Sequence, residues 1–74
     1  MKVLVQVVDT KTGIYQGGLI DEPVIKNKEV ANALVHFGIV LESIVIDNIS
    51  YDDKSMFGYG HSEGTTKKFQ FMSV

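Results

Sequence analysis

The sequence predicts one small α+β domain spanning residues 1–74, with elements in the order β-β-α-β-β. A mainly antiparallel four-stranded sheet is expected, with one helix packed on one of its faces. Three observations carry that expectation. Val3 to Val8 is a β-branched run in which every position but Gln6 is apolar. Val30, Ala33, Leu34 and Phe37 form one helical stripe of spacing i, i+3, i+4, i+7. Phe69 and Phe71 alternate with Lys68, Gln70 and Met72 near the C-terminus.

In chain order, the first strand ends at Asp9-Thr10-Lys11-Thr12-Gly13. There an aspartate that bonds its own backbone and a glycine able to turn left-handed suit a short hairpin loop. Ile14 to Ile20 returns as the second strand, and Gly17-Gly18 marks a bulge or a close approach of another chain segment. Pro23 ends the sheet. The helix follows, with Asn27 as expected N-cap, Glu29 in the first turn, His36 in the last, and Gly38 as the residue that closes it, Ile39 packing back on Leu34. Residues 39–51 read as the third strand, with a turn or bulge at Asp47-Asn48. Asp52 to Gly64 reads as a loop because of its glycines and polar residues, and Thr65 to Val74 as the last strand.

Composition narrows function. Net charge is −2, and all seven basic residues are lysine. Without arginine, the bidentate reader of phosphate and guanine, a mildly acidic chain is not expected to bind nucleic acid. No segment has the ~20 apolar residues of a membrane span, so no membrane partner is expected. The apolar run at Val3–Val8 is too short for a secretion signal, and there is no cysteine. Together these give a cytoplasmic expectation, under which the Asn48-Ile49-Ser50 glycosylation pattern carries no meaning.

Catalysis is poorly supplied, and the chain is expected not to be an enzyme. None of its serines lies in G-x-S-x-G, and His61 beside Ser62 is sequence adjacency rather than a triad. Gly58, Gly60 and Gly64 give G-x-G-x-x-x-G, one residue off the dinucleotide fingerprint and followed by a strand instead of a helix. Asp47, Ile49 and Tyr51 break the calcium-loop pattern, and a single histidine among scattered carboxylates is a weak zinc signal. No cofactor and no metal site are expected.

What remains is binding. An apolar content of 45% is rich for so small a body, and Leu4 and Val8 face away from Val3, Val5 and Val7. Apolar side chains on both faces predict a homo-oligomer, a dimer or higher, unless long lysine and glutamine stems cover them. The 52–64 segment is the expected contact surface, with Met56, Phe57, Tyr59 and His61 as its side chains, the alternative being that Met56 and Phe57 fold back to cap the open end of the core. The leading expectation is a small inhibitor, adaptor or accessory subunit that binds another protein. Such compact modules are, by analogy, the kind of accessory protein viruses turn on host machinery. The alternative is a homo-oligomeric sponge or sensor for a small anionic or nucleotide-like ligand, held between subunits by Lys54, Tyr59, His61, Lys67 and Lys68.

Overall fold

The computed structural model describes residues Met1–Val74. It contains β1 (Val3–Asp9), β2 (Tyr15–Ile20), α1 (Asn27–His36), β3 (Ile44–Tyr51), β4 (Met56–Ser62) and β5 (Lys67–Ser73). The strands form one antiparallel sheet in the order β2-β1-β5-β4-β3. The sheet therefore has five strands rather than four, and the expected loop at 52–64 is largely the strand β4.

The reason lies in the glycines. Gly58 and Gly60 are buried on the helix side of β4, directly opposite Phe71 and Phe69 of β5. The two phenyl rings stack with centroids 5.9 Å apart and lie over the glycines. A β-carbon at Gly60 would sit 2.6 Å from the Phe69 ring, and one at Gly58 would overlap the Phe71 ring. Glycine composition thus reads as loop, but here it makes room for a neighbour's side chain within a strand. What connects β3 to β4 is only a tight turn, in which the Asp52 carboxylate accepts the backbone N–H groups of Lys54 (2.8 Å) and Ser55 (2.9 Å).

β1 and β2 form the expected hairpin. The Asp9 carboxylate accepts the Lys11 N–H at 2.9 Å, and Gly13 N–H donates to the Asp9 carbonyl at 2.7 Å. Gly17 pairs with Gln6 in unbroken register, so there is no bulge there. The expected close approach is present at both glycines: a β-carbon at Gly17, which lies at φ +143°, would overlap the Val5 carbonyl of β1, and one at Gly18 would sit 2.6 Å from the Phe37 ring. The bulge expected at Asp47-Asn48 is present, shifting the β3–β4 register between Ile46 and Asn48.

The helix crosses the sheet from β3, where the Asn27 amide donates to the Ile44 carbonyl at 3.2 Å, towards β2, where Phe37 covers Gly18. Asn27 is the first helical residue, not the cap. Lys26 holds the N-cap position, and the Glu29 carboxylate accepts the N–H groups of Lys26 (2.9 Å) and Ile25 (3.3 Å). At the other end Ile39 N–H bonds the Leu34 carbonyl and Gly38 N–H the Val35 carbonyl, with Gly38 at φ +75°. Val30, Ala33 and Leu34 are buried against Val3, Val5, Val7, Phe69 and Phe71, which together with Val24, Ile39 and Met56 make the core. No helix is long and apolar enough to cross a membrane.

Candidate functional site

Strand alternation sends half of the sheet's side chains away from the helix, onto a face that no other part of the chain covers. Register arranges them in three rows running across the sheet. One row is Tyr15, Val8, Lys68, His61 and Val45. The middle row is Gly17, Gln6, Gln70, Tyr59 and Asn48. The third is Leu19, Leu4, Met72, Phe57 and Ser50. The third row is mostly apolar, the first carries the charge, and the middle row is joined by a Gln70 Nε2 to Gln6 Oε1 hydrogen bond of 3.1 Å.

An open depression of about 820 Å³ lies over the first two rows. The glutamine pair lies in it, with Tyr15, Tyr59, His61 and Lys68 among the residues around it. Tyr59 is 43% exposed and Phe57 39%, and their rings lie 6.0 Å apart, tilted by 59°. These are the values of side chains that project from a surface, and aromatic side chains of this kind are enriched at the cores of protein interfaces.

Electrostatics on this face are simple. The extra residue of the β3 bulge is Asp47, and its Oδ2 lies 2.7 Å from His61 Nδ1. Lys68 stands directly opposite His61 in the neighbouring strand. Among the residues of the three rows Lys68 is therefore the one charge without a paired carboxylate, in a chain whose net charge is −2. The remaining carboxylates sit on turns, on the helix or on the other side of the sheet. Two are held below the usual carboxylate range. Asp9 is lowered chiefly by the Thr66 hydroxyl, 2.6 Å away, and next by the Lys11 N–H. Asp52 is lowered by the backbone N–H groups of Lys54 and Ser55.

The residues expected to act together are only partly brought together. Phe57, Tyr59, His61 and Lys68 share the open face. Met56 does not, being 3% exposed in the core, where its sulfur accepts the Val24 N–H at 3.4 Å. Lys67 projects to the helix side of β5, opposite Asp9, because adjacent strand residues point to opposite faces. Lys54 lies in the β3–β4 turn, at the end of β4 away from His61. Ser62 also turns inward, and its buried hydroxyl donates to the Glu42 carbonyl, so it is no chemical neighbour of the His61 ring. No group of three or more histidine and carboxylate side chains is placed to hold a metal ion.

Sequence reading did not single out Tyr15, Leu19, Gln6, Gln70 or the Asp47–His61 contact as parts of a site. Alternation from Leu4 and Val8 points to Gln6, and alternation from Phe69 and Phe71 to Gln70; Tyr15 and Leu19 follow from the hairpin register. The contact depends on a bulge and a strand register that no local pattern specifies. Comparison with protein-family models, with curated proteins and with solved structures finds no match to this chain.

Proposed function

We propose that this chain is a non-enzymatic binding module that engages another protein through the open face of its sheet, as an inhibitor, adaptor or accessory subunit. The observation that carries the reading is the side-by-side exposure of Phe57 and Tyr59 on a strand whose other side is fully buried. Large aromatics kept out of the core contribute little to the fold and much to a contact, since desolvated tyrosine and phenylalanine supply area at low entropy cost. The partner's chemistry follows from the rows. It presents apolar side chains to Leu4, Met72 and Phe57, and a carboxylate to Lys68.

A small-anion sponge is less well supported. Of its five donors, Lys54 and Lys67 lie away from Tyr59, His61 and Lys68, and the depression is broad and open rather than enclosing.

Affinity capture from the cells that make the protein tests the proposal, with wild type run beside Phe57→Ala/Tyr59→Ala. Loss of a specific partner on the variant, at unchanged circular dichroism, is the expected result. The affinity should fall at least about tenfold, as for paired aromatic anchors. The same proteins on both baits would sink the reading. A small anion seen by native mass spectrometry, and lost in Lys68→Ala, would replace it with the sponge.

A further inference from the structure

The two edges of the sheet are unlike. β3 is guarded by the bulge after Ile46 and by Asp47 and Asn48, devices that discourage a further strand from pairing. β2 carries no charge, proline or register break from Ile14 to Ile20, and its one backbone departure is Gly17 at φ +143°. Its Ile14, Tyr15 and Leu19 are 60%, 68% and 53% exposed. The backbone direction is fixed by Asp9 N–H, which donates to the Ile14 carbonyl at 3.1 Å. Antiparallel alternation then turns Gln16, Gly18 and Ile20 towards β1, and leaves the amide and carbonyl groups of Tyr15 and Leu19 pointing outward.

We propose that β2 pairs antiparallel with β2 of a second copy, about a two-fold axis at Gly17, joining two five-stranded sheets into one. Residues opposite each other in a ladder must share a face, so only registers that pair odd with odd and even with even positions qualify. Centred on Gly17, Tyr15 faces the partner's Leu19 and Ile14 faces the partner's Ile20. Every exposed apolar side chain of the edge gains a cross-strand neighbour, and the aromatic–aliphatic pair forms twice. Centred on Gly18, Tyr15 would face the partner's Asp21; centred on Gln16, Leu19 would face the partner's Gly13. The Gly17 register also brings the turn that carries Lys11 alongside the partner's Asp21 and Glu22, so opposite charges meet at both ends. At the axis itself two glycines face each other, and no side chains collide.

An edge contact of this length belongs with weak, concentration-dependent associations. It leaves Phe57 and Tyr59 free, and it does not depend on what the open face binds. Sedimentation velocity from about 1 μM to about 1 mM, the range of weak dimers, tests it. Wild type should dimerise within that range, and a monomer throughout overturns the proposal. Leu19→Lys should weaken the dimer at least about tenfold by setting a charge on the edge. Phe57→Ala/Tyr59→Ala should leave it intact. The reverse pattern means that copies stack face to face and overturns the proposal, as does a dimer that survives both changes. Should Leu19→Lys fold poorly, hydrogen exchange on wild type decides. The Tyr15 and Leu19 amides should slow as concentration rises, and amides that exchange at one rate throughout overturn the pairing.

Discussion

On the helix side of the sheet β4 contributes Met56, Gly58, Gly60 and Ser62, all buried; on the other side the same strand contributes Phe57, Tyr59 and His61, all reachable by solvent. The usual rule of large apolar side chains inside and small ones outside is inverted between Phe57 and Gly60 of one strand. The inversion follows from β5, whose Phe69 and Phe71 fill the space that side chains on β4 would otherwise take. The core face is complete without the aromatics of β4, which leaves them available for a surface role.

The contrast between the two faces is broken most directly at Phe71, the most deeply buried ring. Phe71→Ala should cost about 3–5 kcal/mol, the range for truncating a buried phenylalanine, and in a domain this small that should read as loss of the cooperative urea transition. Tyr59→Ala, its control on the other face, should stay within about 1 kcal/mol. Comparable losses would mean that the open face is core in solution. Gly60→Ala should cost about 1–3 kcal/mol by forcing the Phe69 ring and the β3 backbone apart, and thermal melting measures it. A neutral result would show that the glycines are not packing positions. Gly38→Ala, at φ +75° in the helix-closing turn, should cost about 1 kcal/mol in the same assay.

The smallest effect concerns the turns at opposite ends of the sheet. The carboxyls of Asp9 and Asp52 ionise more readily folded than unfolded. Their contribution to stability is therefore complete above the ordinary carboxylate pKa of about 4, and is lost as pH falls through the lower folded value. Asp52→Asn should be less stable than wild type at neutral pH and should converge with it in strong acid. Urea titrations at the two extremes check this, and a constant difference would assign the effect to something other than the charge.

Periodicity made the helix and β5 legible, because each carries one buried stripe and one largely polar one, and β1 was legible as a β-branched run. It failed at β4, where the inward positions between Met56 and Ser62 are glycine and leave no apolar alternation; only Phe57 and Tyr59, at a spacing of two, hinted at a strand. The separation of Lys67 from Lys68 was readable, since neighbours in a strand face opposite ways, once Lys67 was assigned to β5. The depression was not. It gathers residues from all five strands, and their meeting depends on β1 lying beside β5 rather than beside β3 or β4.

That central pairing also sets an order of events. β1 and β5 lie side by side in the middle of the sheet, and Val74 N–H donates to the Lys2 carbonyl at 3.0 Å. On the ribosome the β1–β2 hairpin emerges early but has no neighbour on its inner side until β5 arrives. The core closes only once β5 is made, through contacts of long sequence separation that slow folding. The same adjacency holds Lys2 and Val74 one hydrogen bond apart. A short linker from residue 74 to residue 2 should be accommodated, and opening the Asp52–Ser55 turn would make β4, β5, β1 and β2 successive neighbours, with β3 following the helix.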